Sequence, residues 1–469
     1  MNKDARKLRA TKPAAAPARP ANRAERYAAG KALRDRVPRE QHGEWKAPKN
    51  RHDPVDLVIA SSKGRVPGLI PIRYGRMSVS PFTFYRGTAL NMASDLAGTP
   101  NTGIRTQVCG DCHLMNFGGF ATPERRVIFD INDFDETLPG PWEWDVKRLA
   151  ASVVHAARSN GFSAADQRDA AMACVRSYRE RIAKFSNKPA LDVWYSHIDI
   201  EAILGTISDR ESVARARKQI AKAKARTVAE SDFPKMVEGS GSRFVIKDNP
   251  PLIYHDQTLN LSTDRENLLS GFASYRKTLP DDRRILLDRY RMVDFALKVV
   301  GVGSVGTYCG VILMMAEDDD PLFLQVKESR ASVLEPYVGK SAYPNHGQRV
   351  VMGQRLMQSA SDIFLGWTQG KRGRHAYLRQ LRDMKIKPMV ELFSQTMMIE
   401  YAAACGWTLA RAHARSGDAA MIAGYLGKSD VFDRAIARFS KLYADQAERD
   451  HATFMNAIRK GRIEAHMEH

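Results

Sequence analysis

Between Gln107 and Asp145 the chain reads QVCGDCHLMNFGGFATPERRVIFDINDFDETLPGPWEWD, and this stretch limits what the rest can fold into. It sets Asp111, Asn116, Asp130, Asp133, Asp135 and Asp145 among turn residues and short apolar runs. Carboxylates and an amide are therefore held on loops beside strands. The run Val127 to Phe129 is expected as a strand that carries Asp130 and Asp133 into one cleft from its C-terminal end, while the loop GDCHLMN brings in Asp111 and Asn116. Oxygen ligands of this kind suit Mg²⁺, which takes one or two carboxylates and completes its shell with water and substrate phosphates. Asp and Asn also cap turns, which is their ordinary role in loops. Six of them within 39 residues favour the metal-and-phosphate layout.

A second constellation lies some 190 residues further on. From Phe295 to Lys327 the chain is β-branched, apolar and dotted with glycine, with the acidic turn AEDDDP inside it, so three antiparallel strands are expected. Gly301-Val-Gly303-Ser-Val-Gly306 is a GxGxxG. A dinucleotide fingerprint would open a helix here, but Thr307-Tyr-Cys-Gly-Val-Ile-Leu-Met-Met is strand-like and the glycines belong in a hairpin turn. A glycine flap followed by a strand ending in Val326-Lys327 is how kinases cover nucleotide phosphates and hold them with a lysine. The bland alternative is a plain hairpin with a surface lysine.

Chain length bounds the architecture and charge bounds the partners. At 469 residues the chain exceeds what one core organises, so two lobes and a tail are expected. Of the net +19, residues 1–50 supply +9, from 14 Lys/Arg against 5 Asp/Glu. That arm lacks apolar periodicity down to about Gly30 and is expected to be mostly disordered. Nucleic-acid contact is one use for such an arm, and plain solvation is the commoner one.

The five cysteines are an odd number in a long chain, which argues for a reducing cytoplasm without a disulfide framework. Cys109 and Cys112 form a CxxC, but with only His113 beside it a closed zinc site lacks a fourth ligand. The longest uncharged run, Val299 to Met315, has 17 residues, short of the roughly 20 that span a bilayer. No membrane partner is expected.

Arg73, Arg76 and Arg86 cluster upstream of the acidic stretch, where phosphate contact and pairing with carboxylates are both open. Helices are expected at Val55 to Ser61, after SPFTFYRG, over VKRLAASVVHAARSNG, and from a Ser163 cap onward, with helical text continuing to about Glu238. Two short strands are expected within Ser242 to His255, and helices over Thr263 to Thr278 and Asp281 to Tyr290. A helix from Gln348, a strand pair around LGWTQGKRGRHAYLRQL, and helices over Val390 to Ser416, Ala419 to Leu426 and Val431 to Lys460 complete the chain.

Gly110-Asp111-Cys-His113-Leu-Met-Asn116 resembles the GDxHxxN of aminoglycoside phosphotransferases and choline kinases. The resemblance implies Asp111 as catalytic base and Asn116 as metal ligand, and it sets Asp133 of Asn132-Asp133-Phe134 on the metal-binding Asp of the next strand. Gly140-Pro141 to Asp145-Val146 matches the segment that those families carry after this Asp. Cys109 stands where they carry His, and no glutamate is an evident partner for Lys327; Gln354, Glu328 and Glu335 are the nearby residues. Over about residues 35 to 460, through RYGRM, SPFTFYRG, DINDFDE, GPWEWDVKRLA and GWTLARAHARSGD, the chain is similar to a bacterial family known as domain of unknown function 2252, which brings no established substrate.

In ordinary kinases the flap and lysine precede the catalytic Asp, whereas here Asp111 precedes Gly301. The helix Tyr401 to Gly417 likewise resembles the one that comes just before GDxHxxN. A circular permutation accounts for both displacements.

The expected fold is therefore α+β: a two-lobed, circularly permuted, kinase-like fold, largely helical with one small antiparallel sheet lobe. Residues 1–50 form the arm, 51–290 a helical lobe with the catalytic and metal loops, 291–395 a β-rich nucleotide-binding lobe, and 396–469 helices returning to the first lobe. The expected function is ATP- and Mg²⁺-dependent transfer of a phosphoryl group to a hydroxyl of a small molecule or protein. Asp111 orients or deprotonates the acceptor, Asn116 and Asp133 hold Mg²⁺, and Gly301, Gly303, Gly306 and Lys327 hold the nucleotide. A nucleotide-binding pseudokinase and a nucleic-acid-associated protein acting through residues 1–50 are the alternatives.

Overall fold

The computed structural model of the chain describes residues 22–225, 233–239, 244–255, 261–299, 301, 303–317, 320–370, 373–381 and 385–467. The first 21 residues of the arm, residues 226–232 of the expected helical text, Val302 in the glycine motif, Asp318 and Asp319 of the acidic turn and residues 371–372 and 382–384 around the last strand pair lie outside them.

The fold is mixed α+β, mostly helical, with one six-stranded antiparallel sheet and small two-stranded hairpins. The N-terminal helices are α1 (Arg23–Arg36), α2 (Pro54–Ser62), α3 (Ile70–Ser78), α4 (Pro81–Gly87) and α5 (Ala89–Leu96). Strands β1 (Arg105–Val108), β2 (Phe117–Ala121), β3 (Val127–Ile131) and β4 (Leu138–Pro141) follow, then α6 (Trp142–Ser159) and α7 (Ala164–Ser186). Ser163 caps α7 by accepting from the Asp166 N–H while Asp166 reaches back, a reciprocal pair that satisfies two otherwise orphaned donors.

Helix α6 is buried along almost its whole length, because α7 covers one side and the C-terminal helices cover others. The C-terminal helices are α8 (His346–Met357), α9 (Gln395–Ser416), α10 (Ala419–Leu426) and α11 (Val431–Arg459), of which α9 and α11 cover α6. Trp142 stacks flat on Tyr178 of α7 with centroids 5.7 Å apart, inside a continuous core that includes Leu149, Val153, Val175, Leu409 and Ile436. Each such aliphatic side chain contributes about 1.5–3 kcal/mol by leaving water.

The strands β5 (Val237–Glu238), β6 (Val245–Ile246), β7 (Ile253–Tyr254), β8 (Arg291–Lys298), β9 (Cys309–Met315), β10 (Pro321–Ser329), β11 (Gly366–Gln369) and β12 (His375–Gln380) build the second part. The sheet order is β7-β8-β9-β10-β12-β11. Strand β9 is buried throughout because both faces of the sheet are covered. Ile312, Met314, Leu322 and Leu324 meet Tyr275, Leu279 and Leu287, while Val311, Leu313 and Phe323 meet Val237, Ile246 and Ile253. Side chains alternate along a strand, so Lys327 shares the face of Phe323 and Gln325, and its register partners are Cys309 on β9 and Tyr377 on β12.

Three expectations are corrected. The boundary at residue 291 falls earlier, since the helices Leu261–Arg276 and Asp281–Leu287 and strands β5 to β7 pack on the sheet. The arm is ordered from Asn22 on: α1 has its own capping box and lies on α10 so closely that a Cβ at Gly30 would sit 2.0 Å from the Met421 carbonyl oxygen, and one at Gly424 2.0 Å from that of Tyr27. Arg34 donates to the Tyr425 carbonyl at 2.8 Å, Arg39 to that of Leu426 and Arg36 to that of Thr102, both at 2.6 Å, so arginines read as a free basic surface fasten α1 to the protein. The period-3.6 signal was missing because glycine, not large apolar residues, makes this close contact. The helix expected from Val390 begins at Gln395, after a single 3₁₀ turn at Val390–Leu392. No helix among the described residues is long and apolar enough to cross a membrane.

Candidate functional site

The β2–β3 hairpin and the loop before it supply one wall of a cleft. Asp111 follows Gly110, whose φ of +80° turns the chain after β1. The buried Arg148 of α6 sends both Nε and Nη2 to Asp111 Oδ1, at 2.7 and 2.5 Å. Oδ2 is left toward the cleft, with His113 Nε2 3.9 Å away. Asn116 donates its amide N–H to the Asp111 carbonyl at 2.9 Å, so its side-chain oxygen is the atom able to take a metal. The Asn132 N–H donates to the Asn116 carbonyl at 2.7 Å and ties the loop to the end of β3.

The sheet supplies the opposite wall. Lys327 Nζ lies 2.7 Å from Asp135 Oδ2 and 3.8 Å from Asp133 Oδ2. Burial disfavours its charge, but Asp133 and Asp135 outweigh that and hold its pKa well above the ordinary lysine value. Asp135 also accepts from Tyr377 Oη at 2.8 Å and from Ser304 Oγ at 3.2 Å. The turn carrying Gly301, Gly303 and Gly306 folds over this cluster. Ser304 and Val305 N–H groups both donate to the Gly301 carbonyl, and Gly306 has a φ of +82°. Arg65 anchors the turn by donating to the Val305 and Gly303 carbonyls at 2.5 and 2.8 Å. A side chain at Gly303 would come within 4.0 Å of Asp111 Oδ2.

The fold thus brings Lys327, Asp133 and the turn at Gly303–Ser304 together around Asp135, with Asp111 beside the turn and Asn116 tied to the Asp111 carbonyl. Sequence reasoning gave Asp135 no role of its own. The available signal was the i, i+2 spacing of Asp133 and Asp135, the pattern of an Asp-initiated turn; here the Asp135 N–H donates to Asp133 Oδ1 at 3.2 Å. Arg349 of α8 was also missed; it donates to the Thr137 carbonyl at 2.6 Å and the Asp135 carbonyl at 2.8 Å and fixes the acidic loop from behind. Among the described residues no glutamate pairs with Lys327. Gln354 bonds Gln358 and Glu328 accepts from the Tyr308 N–H, both at distances of 2.8–2.9 Å. A small cavity of about 70 Å³ adjoins the cleft, lined by Phe120, Asn132, Gln354, Gln358, Arg379 and Lys385.

Two of the six polar residues in the opening stretch do other work. Asp130 does not enter the cleft with Asp133, since positions three apart on extended chain face opposite ways. It is fully buried and accepts from Arg411 Nη2 at 2.6 Å and from the N–H and Oγ of Ser359 at 2.9 and 2.8 Å. Asp145 accepts from the N–H groups of Cys109 and Gly110 at 2.8 and 3.0 Å, and His413 Nε2 lies 3.3 Å from it. It therefore holds the backbone that presents Asp111.

Cys109, Cys112 and Asp145 lie close enough together to suggest a metal trio. Burial pushes both thiols up, Cys112 to about 11, whereas zinc binds thiolate, and both Asp145 oxygens already accept backbone N–H groups. The trio is a packing knot. Arg73 is likewise structural: buried, it donates to Ser61 and Ser62 hydroxyls and the Gly87 carbonyl. Helix α9 packs on the loop as expected, with Tyr401 Oη donating to the Leu114 carbonyl at 2.9 Å.

The sequence profile of the family described as "Uncharacterized protein conserved in bacteria (DUF2252)" matches residues 65–457. No curated protein and no solved structure matches the chain.

Proposed function

The chain belongs to the DUF2252 family, and from its cleft we propose that it is an ATP- and Mg²⁺-dependent phosphotransferase with a permuted, two-lobed kinase-like fold. One observation carries the reading: Lys327, on the third strand counted from the one before the glycine turn, reaches Asp135 at 2.7 Å and Asp133 at 3.8 Å, while the turn itself stands over Asp111. In kinases the lysine sits on that third strand, the glycine loop covers the phosphates, and an Asp and an Asn hold the metal.

The residues present fit the metal. Asp133, Asp135 and the Asn116 side chain offer hard oxygens, and an ammonium group already bridges the two carboxylates, so the site is built for positive charge. Bound there by Asn116 and Asp133, Mg²⁺ would neutralise charge on phosphate oxygens. With nucleotide bound, Lys327 would hold its phosphates and the turn carrying Gly301, Gly303 and Gly306 would cover them. Asp111 orients the acceptor hydroxyl through Oδ2, because Arg148 occupies Oδ1. Most of such a reaction is positioning and charge stabilisation, which is why groups from four separate stretches must converge.

The pseudokinase reading has one observation in its favour: among the described residues Lys327 has no glutamate partner and pairs with Asp135 instead. The nucleic-acid reading loses support from the engagement of Arg34, Arg36 and Arg39 within the protein. A thermal-shift titration with ATP, GTP and Mg²⁺ tests the proposal. Mg-ATP at a hundred times its dissociation constant stabilises the native state by about 2.7 kcal/mol, and the absence of any nucleotide-dependent shift removes both enzyme and pseudokinase.

A further inference from the structure

Where α7 and α9 meet the segment Ser196 to Ile198, a half-open cavity of about 120 Å³ is lined by Arg181, Lys184, Lys188, His197, Trp407 and Arg411. A single water needs only about 10–15 Å³, so the space suits a group of several heavy atoms. Arg411 is fully buried, and only its Nη2 is partnered, by Asp130 and the Met357 carbonyl. Its Nε and Nη1 have no hydrogen-bond partner among the described residues. Leaving two nitrogens of a buried guanidinium without acceptors is costly; both are closed off from solvent, and the Arg411 side chain lies against the wall of the cavity, where its charge acts on whatever fills it.

The surrounding charge agrees. Arg181 is held over the Trp407 ring at 3.7 Å, and Lys184 and Lys188 are exposed at the mouth. Arg415, one turn beyond Arg411, also has Nε and Nη1 buried without acceptors, and burial together with Arg411 pushes its pKa down to about 10. The acids nearby are already engaged: Asp130 with Arg411, Asp199 with Arg126 at 3.0 Å and His197 at 3.5 Å, and Glu180 with Arg179 at 3.9 Å. Phe185 and Ile198 complete an apolar wall.

We propose that this cavity binds a small phosphate-class oxyanion, either inorganic phosphate or the phosphoryl group of a phosphomonoester, with Arg411 at its base and Arg181, Lys184 and Lys188 around it. None of these residues belongs to the cleft between the acidic loop and the sheet, and the proposal does not depend on the reaction assigned there.

The test is calorimetry on the full chain with inorganic phosphate and, separately, phenyl phosphate, against sodium chloride at matched ionic strength. Both variants needed leave the Asp130–Arg411 pair intact: Arg181→Gln combined with Lys184→Gln at the cavity, and Lys327→Met in the cleft. Millimolar or tighter binding of either probe, weakened at least tenfold by the double variant and retained in Lys327→Met, supports the site. Tighter binding of phenyl phosphate identifies the ester as the source, and equal or weaker binding identifies the free anion. Heat indistinguishable from the chloride control overturns the proposal. So does binding that survives the double variant and is lost in Lys327→Met, since that places the anion in the nucleotide cleft.

Discussion

Lys327 and Asp135 are 192 residues apart in the chain, and their charged atoms are 2.7 Å apart in the fold. Their pairing joins the sheet to the acidic loop and sets what each substitution in the cleft should do.

Asp133 and Asp111 are expected to behave differently. Asp133→Asn removes charge from the metal position and should weaken Mg²⁺-dependent ATP binding as well as turnover. Asp111→Asn should leave ATP affinity within a few-fold while slowing transfer by roughly 10²- to 10⁴-fold. Parallel calorimetry and phosphoryl-transfer assays decide the matter. Equal turnover in wild type and Asp111→Asn, with ATP binding intact in both, would point to the pseudokinase.

Removing the lysine exposes the two carboxylates to each other. Lys327→Met should lower stability by about 1–3 kcal/mol, less than the 3–5 typical of a broken buried pair because Asp133 and Asp135 are about one-third exposed. Mg²⁺ should restore much of the loss, since it supplies the missing charge. Melting curves of the variant that do not move between zero and 10 mM Mg²⁺, a concentration of roughly the order that fills weak carboxylate sites, would contradict the metal assignment.

Asp130 should count for stability and not for ligand binding. Asp130→Asn leaves the buried Arg411 uncompensated and should cost about 3–5 kcal/mol in denaturant unfolding. A variant as stable as wild type that has lost Mg²⁺ affinity would return Asp130 to the metal site.

Acid should destabilise the fold well before its carboxylates titrate. Burial pushes His113 and His155 down to about 3, and nearby arginines add to the shift at both. Above the unfolded value of about 6.5 both states are neutral and nothing is lost. Below it the unfolded chain takes up protons that the folded one refuses, so stability falls by about 1.4 kcal/mol per pH unit for each histidine, down to about pH 3. Urea midpoints measured from pH 7 to 5 should drop steeply. A flat profile over that range would show that these rings accept protons in the native state.

How far the sequence revealed the site depends on the range of the forces involved. Strands β8 to β10 and the Ser163 cap follow from local patterns, β-branched runs and a Ser N-cap, and the nearness of Lys327 to Asp133 was expected from the kinase resemblance. The features that stayed hidden were set by partners distant in sequence. Asp130 reads like Asp133 until Arg411, 281 residues away, is seen beside it. Helix α1 has no apolar stripe because its contact with α10 is made by close backbone approach at Gly30 and Gly424. Arg349 acts through carbonyls of the acidic loop, which no spacing rule connects to it.

The docking of α9 on the loop that carries Asp111 also has a consequence in time. Asp130 and Asp145 leave the ribosome long before Arg411 and His413, the side chains that meet them in the fold. At roughly 5–20 residues per second, the interval is about 15 to 55 s. Throughout it the nascent chain holds two carboxylates destined for the interior, Asp130 without the guanidinium that pairs with it and Asp145 with only the Cys109 and Gly110 N–H groups available to it. The cleft beside Asp111 therefore belongs to the last stage of synthesis, and a chain released before α9 would display its loop without the helix that holds it.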